Sequence, residues 1–190
     1  MENPFIVLSE VVQLLEERGI NYVLVGSMAS SMHGMYRTTA DIDLIADIKP
    51  GQVRPLLEEL QTRFYVDEQA AQEAISEQRS FNAIHFDSVF KVDIFIPKPG
   101  DFAMQQLERR QLRKFAPDSD QKVYVATAED MILAKLRWFR AGGDVSETQW
   151  RDVLGMIGAA DVELDLAYLG HWAKELGVSE LLEKALKEAG

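Results

Sequence analysis

Three aspartates stand in segments that otherwise favour buried β-strands. Asp41 and Asp43 lie in TTADIDLIAD, and Asp93 lies in FKVDIFIP. Side chains alternate between the two faces of a strand, so Asp41 and Asp43 are expected to point the same way. Acidic groups in apolar surroundings are costly unless a cation neutralises them, and a divalent metal is the simplest such partner. The spacing therefore predicts a metal site formed by three carboxylates.

The segment VLVGSMASSMHG, before the aspartates, predicts a strand, a tight turn and the start of a helix. Gly26 lets the backbone approach a phosphate closely. Ser27 is predicted to be the N-cap, and its hydroxyl and the helix N-terminus offer hydrogen-bond donors and a favourable dipole to an anion. Carboxylates for a metal beside a turn for a phosphate indicate phosphoryl or nucleotidyl transfer.

Nucleotidyl transfer needs an activated acceptor hydroxyl, charge stabilisation at the α-phosphate and a bound pyrophosphate. Two Mg²⁺ ions roughly 3.5–4 Å apart supply most of this, and Mn²⁺ is an alternative to Mg²⁺ in such oxygen sites. We expect Asp41 and Asp43 to bridge both ions. Asp93, on a neighbouring strand, is expected to bind only the ion at the acceptor and to accept the hydroxyl proton.

The composition limits the class of protein and its compartment. The chain has 190 residues, no cysteine and a formal net charge of -11. The absence of cysteine excludes disulfides, zinc–thiolate sites and a cysteine nucleophile. The N-terminal segment has neither the pattern of a signal peptide nor that of a membrane span, so we expect a cytoplasmic protein without a membrane partner. The negative charge disfavours a broad contact with nucleic acid.

A local basic segment, LERRQLRK, contrasts with this acidic balance. Arg109, Arg110, Arg113 and Lys114 fall within six positions of it. Such a segment is either a solvated face or a patch for a triphosphate or the end of a nucleic acid.

The hydrophobic periodicity predicts an α+β fold with a mixed sheet flanked by helices. Helices are expected over 4–18, 27–35, 52–64, 101–108, 128–140, 147–157, 161–175 and 178–188. Strands are expected over 22–25, 41–46, 81–86, 89–96, 112–116 and 122–127. The polar stretch 67–78 favours a helix but is weakly amphipathic, which predicts a mobile flap. The pattern divides the chain into a core over 1–126 and a helical part over 127–190 packed on that core.

The motif GSMASSMHGMYRTTADIDL followed by KVDIF resembles the DNA polymerase β-type nucleotidyltransferase superfamily. An Arg-x-Thr-x-Asp-Ile-Asp-Leu run within that superfamily is matched by Arg37, Thr39, Asp41, Ile42, Asp43 and Leu44. The chain is similar to the AbiEii-like toxins and to small antibiotic nucleotidyltransferases. These matches cover about residues 20–97, and TAEDMILAKLRWF and WRDVLGMI extend them toward the C-terminus.

The resemblance implies site residues beyond the aspartates. Gly26, Ser27, Arg37 and Thr39 are implied to bind the nucleotide, and Lys135 is implied to lie near the triphosphate. Arg37 has two open interpretations, because its guanidinium can pair with the triphosphate or with Asp41. The segment RAGGDVSETQWRD departs from the relatives' pattern and leaves Asp152 without an assigned role.

The resemblance implies metal-dependent transfer of a nucleoside monophosphate from a nucleoside triphosphate such as ATP, with release of pyrophosphate. It leaves the acceptor open. One hypothesis is a toxin of a toxin–antitoxin system that modifies tRNA or protein and has an antitoxin partner. The second is an enzyme that modifies an aminoglycoside or a lincosamide. The third is a nucleotide-binding module without catalysis.

Two further expectations concern aromatic side chains. His33 is expected to stabilise the turn after the Gly-Ser motif by hydrogen bonding, with a nucleotide contact as the alternative. Trp138, Trp150 and Trp172 are expected to pack the helical part together, with an aromatic platform for a base as the alternative.

Overall fold

The fold of the protein is a seven-stranded mixed sheet with helices, described here from a computed structural model that covers residues 4–33, 41–114, 120–159 and 163–190. The strands are β1 (Asn21–Val25), β2 (Asp41–Asp47), β3 (Phe64–Tyr65), β4 (Ser80–His85), β5 (Lys91–Phe95), β6 (Gln111–Lys114) and β7 (Lys122–Val125). The helices are α1 (Pro4–Glu17), α2 (Gly26–Met32), α3 (Pro50–Leu60), α4 (Glu68–Ser76), α5 (Phe102–Arg109), α6 (Ala128–Ala141), α7 (Glu147–Ile157), α8 (Leu166–Glu175) and α9 (Ser179–Ala189). None of the helices in these ranges is long and apolar enough to cross a membrane.

The sheet has the strand order β3-β4-β5-β2-β1-β7-β6. Strands β1 and β2 are antiparallel, whereas β2 and β5 are parallel, as are β1 and β7. The three central strands β5, β2 and β1 contain many buried apolar residues, such as Leu24, Leu44 and Ile94, which explains their position in the core. The predicted α+β class, with a mixed sheet, flanking helices and a helical C-terminal part, is confirmed.

The helices bury the apolar stripes that their sequences predict. Helix α1 turns five residues toward the core, namely Val7, Leu8, Val11, Val12 and Leu15. Helix α6 begins after Thr127, whose side chain accepts a hydrogen bond from the Asp130 N–H, and most of its residues are buried. Buried residues from both predicted parts of the chain belong to one hydrophobic cluster, and the boundary at residue 126 stays a prediction.

The polar stretch 67–78 is a packed helix, so the expectation of a mobile flap is wrong. The Asp67 side chain accepts a hydrogen bond from the Ala70 N–H and caps α4. Ala71, Ala74 and Ile75 are buried. Three small or branched apolar residues at helical spacing are enough to bind this short helix to the sheet.

Several predicted element boundaries are also wrong. Strand β3 was predicted as the end of a helix, but α3 stops at Leu60 and Phe64 pairs with His85 of β4. Complete burial of the Phe64 ring against the sheet outweighs the helical pattern before it. Helix α8 begins at Leu166 rather than at 161, because the Asp165 side chain caps it by accepting from the Tyr168 N–H.

The basic segment 107–114 does not form one continuous patch. The Arg109 guanidinium lies 3.7 Å from the centre of the Tyr168 ring and close to Glu129. Arg110 lies over the Tyr124 ring and donates a hydrogen bond to Leu107 O. Two of the four cations therefore serve internal packing.

Arg113 and Lys114 lie on the exposed edge strand β6, where every residue is exposed. Of the tryptophans, Trp150 packs on Phe139 within the helical part, as expected, whereas Trp172 packs on Phe102 of α5 and so joins the helical part to the core. The expectation for Trp138 is wrong, since 64% of it is exposed.

Candidate functional site

The three aspartates meet where β2 and β5 run side by side. In the register of these parallel strands Asp43 lies opposite Asp93, and Asp41 lies opposite Lys91. Residues paired in this way project from the same face of a sheet, so all three carboxylates belong to one surface. We call Asp41, Asp43 and Asp93 the carboxylate cluster. The sequence predicted this juxtaposition from two separate segments, and the register explains it.

Asp43 lies in the centre of a row that crosses four strands. Val25 of β1 lies opposite Asp43 on one side, and on the other side Asp93 lies opposite Asn82 of β4. Asn82 is exposed and adds an amide next to the carboxylate cluster. Its place in the row follows from the hairpin register, which the sequence alone did not provide.

Lys91 is a member of the site that the sequence reasoning missed. Its Nζ lies 2.8 Å from Oδ2 of Asp93 and 3.7 Å from Oδ1 of Asp41. The hydrogen bond to Asp93 and the charges of the cluster raise the pKa of Lys91, so the ammonium form is favoured. The signal was present in the sequence, because Lys91 and Asp93 are two residues apart on one strand and share a face.

Asp43 has the most perturbed acidity in the cluster. Burial, and after it the neighbouring charges of Asp93 and Asp41, together raise the pKa of Asp43 to about 6. Lys91 and Lys135 act in the opposite direction. A cation bound next to Asp43 would favour its ionised form and so lower this pKa again.

Gly26 lies directly against the Asp43 carboxylate. Its backbone has φ +68°, a conformation that residues with a side chain rarely adopt. A methyl group at this position would overlap the carboxyl group of Asp43. Gly26 is therefore required both for the abrupt change from β1 to α2 and for the space that Asp43 occupies.

Of the other residues predicted to bind the nucleotide, the structure describes Ser27 but not Arg37 or Thr39. Ser27 is not the N-cap, because α2 starts at Gly26 with Val25 in the cap position and without a side-chain cap. The positive φ of Gly26 starts the helix at once after β1, which places Ser27 inside the first turn. Arg37 and Thr39 lie outside the described residues. Their predicted nucleotide contacts stay predictions.

Lys135 is buried and paired rather than solvated. Its Nζ donates a hydrogen bond to Oδ2 of Asp152 over 2.7 Å and lies 3.5 Å from Oε1 of Gln149. The pair joins α6 to α7. Lys135 also lowers the pKa of Asp43, so its charge acts on the carboxylate cluster as well. Asp152, which the sequence left without a role, thereby holds the predicted triphosphate lysine.

His33 links the end of α2 to the segment before α6. Its Nε2 lies 2.8 Å from the carbonyl oxygen of Ala126. Burial lowers the pKa of His33, so the neutral ring that donates this hydrogen bond is favoured. This contact agrees with the expected structural role of His33.

The carboxylate cluster has the donor chemistry of a magnesium site. All three residues offer oxygen atoms, which Mg²⁺ prefers. In the present side-chain arrangement, however, no three histidine or acidic side chains within the described ranges surround a common metal position. One oxygen of Asp93 and one of Asp41 instead face the ammonium group of Lys91.

Solved structures with a similar fold share little sequence with the chain. An antigenic nucleotidyltransferase-like protein from Paracoccidioides brasiliensis is 19% identical, with a TM-score of 0.58 over 95% of this chain and 90% of that chain. The antibiotic-resistance enzyme ANT(2″)-Ia, in complex with adenylyl-2″-tobramycin, is 13% identical, with a TM-score of 0.60 over 90% and 95% of the two chains. A putative nucleotidyltransferase from Thermotoga maritima is 16% identical, with a TM-score of 0.51 over 80% and 96%.

At these identities the structures show a common fold and no more. Among curated proteins, none matches the sequence. A family model matches residues 3–164, which include the carboxylate cluster, Gly26, Lys135 and Asp152. The chain therefore belongs to the family described as nucleotidyltransferases of unknown function (DUF6036).

Proposed function

We propose that the protein transfers a nucleoside monophosphate from a nucleoside triphosphate to an acceptor hydroxyl, with release of pyrophosphate. The observation that supports this most is the pairing of Asp43 with Asp93 beside Gly26. Three carboxylates on one sheet face, next to a turn without a side chain, suit a metal-bound triphosphate. The family and the fold support the general class of reaction.

Each residue of the site has a proposed part in this reaction. Asp41, Asp43 and Asp93 would hold Mg²⁺ or Mn²⁺, which supplies positive charge at the reacting phosphate. Asp93 accepts the proton of the acceptor hydroxyl, since it lies at the β4 side of the cluster, beside the polar Asn82. Gly26 leaves the space that the Asp43 carboxylate occupies, and Asp43 lies between Gly26 and Asp93.

Lys135 is proposed to neutralise the triphosphate. A buried ammonium group that already acts on Asp43 lies close enough to attract a polyanion at the same place. Asp152 and Gln149 orient the ammonium group. Ser27, Arg37 and Thr39 are proposed as additional nucleotide contacts, on the strength of the motif that contains them.

Two classes of acceptor follow from the charge of the protein. The net charge of -11 favours a cationic small molecule, such as an aminoglycoside. The exposed Arg113 and Lys114 on β6 favour an anionic macromolecule such as tRNA, as expected for a toxin of a toxin–antitoxin system. Arg109 and Arg110 pack on tyrosine rings of the protein, which reduces the basic surface that an anionic macromolecule would need.

Label transfer tests both the reaction and the acceptor. The protein is incubated with Mg²⁺, each of the four α-³²P-labelled nucleoside triphosphates, and separate pools of tRNA, cell-extract protein, aminoglycosides and lincosamides. We expect one pool to retain label, with stoichiometric pyrophosphate release that Asp93→Asn abolishes.

Asp47→Asn is the matched control, because Asp47 lies on β2 four residues beyond Asp43 and outside the cluster. Equal label transfer by wild type and Asp93→Asn contradicts the proposed site. Nucleotide binding without pyrophosphate release in every pool supports the non-catalytic module instead.

A further inference from the structure

Lys91 occupies the central position between two members of the carboxylate cluster. Its ammonium group contacts Asp93 directly and lies within ion-pair distance of Asp41, which is on the neighbouring strand. The side chain is 42% exposed, so its four-carbon stem can move into water without loss of core packing. Lys91 is thus a strong but movable partner of the aspartates.

Lys91 and a divalent cation would draw on the same two carboxylates. Asp93 Oδ2 and Asp41 Oδ1 face Nζ of Lys91, and a cation shared by Asp41, Asp43 and Asp93 requires both carboxylates to turn toward it. An ammonium ion and a divalent cation also repel each other at contact distance. Occupation of the cluster by one of them therefore opposes occupation by the other.

We propose that Lys91 is an internal counter-ion that competes with the divalent cation for Asp93 and Asp41, and so sets the metal concentration that the protein requires. The inference rests on the proposed function, since it concerns the same cluster. Lys91 lowers metal affinity in the free protein and stabilises the cluster until the cation, with its nucleotide, replaces the ammonium group. Asp43 lies against Gly26 and has no hydrogen bond to Lys91, so it gives the cation its first ligand.

The contrast with a second lysine–aspartate pair supports this assignment. Lys49 contacts Asp47, with its Nζ 2.6 Å from Oδ2, near the other end of β2. Both pairs join a lysine to an aspartate two residues away, but only Lys91 faces a second carboxylate of the cluster. Lys49 is therefore a matched control for charge and for the spacing of the lysine from its aspartate.

Mn²⁺ binding in the absence of nucleotide tests the proposal without any turnover. Free Mn²⁺ is measured by electron paramagnetic resonance during titration of wild type, Lys91→Met, Lys91→Gln, Lys91→Arg, Lys49→Met and Asp43→Asn. We expect both Lys91 variants to bind Mn²⁺ about tenfold more tightly than wild type, the scale of removing one unit charge a few ångströms from the cation near the surface. Lys49→Met should match wild type, and Lys91→Arg should bind as weakly as wild type.

The outcomes separate this inference from the proposed function. Unchanged or weaker Mn²⁺ binding in both Lys91 variants, with binding lost in Asp43→Asn, overturns the competition and leaves the metal site intact. Equal Mn²⁺ binding by wild type and Asp43→Asn overturns the site and the competition together. A circular dichroism spectrum identical to wild type verifies that each variant is folded.

Discussion

Two groups of acidic residues in the protein differ in how their neighbours neutralise them. The carboxylate cluster lies on one face of β2 and β5, where Lys91 forms ion pairs with Asp93 and Asp41. The second group, which we call the helix cluster, consists of Glu129 and Asp130 at the start of α6 with Arg109 and Tyr168. There the Tyr168 hydroxyl donates a 2.6 Å hydrogen bond to Asp130 Oδ1, and Arg109 stacks on the Tyr168 ring.

The difference shows what internal partners do to a carboxylate. In the helix cluster Asp130 is fully buried on α6, and its partners Arg109 and Tyr168 come from α5 and α8, so these contacts join three helices. In the carboxylate cluster Asp41 is exposed and Asp43 and Asp93 are half-buried. Carboxylates that water can reach can take up an external cation, whereas a fully buried carboxylate that joins helices favours a structural role. The following variants test this contrast.

The largest expected effect is loss of activity in Asp43→Asn. Replacement of the central carboxylate should lower pyrophosphate release on the order of 10³-fold, because the metal and the transferring phosphate lose a charged ligand. The melting temperature at pH 7.5 should stay equal or rise, since mutual repulsion in the cluster decreases. A variant that keeps more than a tenth of wild-type turnover would show that Asp43 is not part of the reaction.

At Lys135 we expect the effects on stability and on activity to be separable. Lys135→Met should lower the free energy of unfolding by about 3–5 kcal/mol, because Asp152 remains buried without its partner. The double variant Lys135→Met with Asp152→Leu should recover most of this stability, as measured by urea unfolding. Activity should stay low in the double variant, since the proposed charge for the triphosphate is still absent. Restored activity would assign a purely structural role to the pair.

A smaller, purely structural effect is expected in the helix cluster. Asp130→Ala should lower the free energy of unfolding by about 2 kcal/mol, because the Tyr168 hydroxyl loses its acceptor and Arg109 loses an ion-pair partner. Turnover per folded molecule, measured at 15 °C, should stay within twofold of wild type. A selective loss of turnover without destabilisation would reverse the assignment of the two clusters.

The smallest effect is a pH dependence of stability in the metal-free protein. The pKa of Asp43 is about 6 in the folded chain and near 4 when unfolded, so folding binds a proton between these values. Ionisation of Asp43 therefore lowers the free energy of unfolding as pH rises from about 4 to 6. In EDTA, the melting temperature of Asp43→Asn relative to wild type should increase over this range and become constant above pH 7. A constant difference at every pH from 4 to 7 would contradict the raised pKa.

Much of the fold could be predicted because local patterns and tertiary packing agree. Helices α1, α6, α7 and α9 end within one or two residues of their predicted limits, since each has an apolar stripe and a recognisable terminal residue. The hairpin of β4 and β5 followed from two alternating segments around a polar turn. Prediction failed for β3 and for the expected mobility of 67–78, because burial of a few residues such as Phe64 and Ala71 decides both.

For the site, the sequence by itself determined the residue types and their spacing. The Asp-x-Asp pair requires Asp41 and Asp43 to share a strand face, and the Gly-Ser motif requires a sharp turn before a helix, because backbone geometry dictates both. It also determined that excess negative charge would need a cation. These are local properties, and they hold wherever the segments come to lie in the fold.

Only the tertiary structure decided which residues meet. The parallel register of β2 and β5 places Asp93 beside Asp43 and Lys91 beside Asp41, and the packing of α6 on α7 buries Lys135 against Asp152. The tertiary structure also packs Arg109 on Tyr168 and Arg110 on Tyr124, so the basic segment does not form one surface patch. Such pairings join residues far apart in the chain, and their energies depend on burial and register, which no single segment encodes.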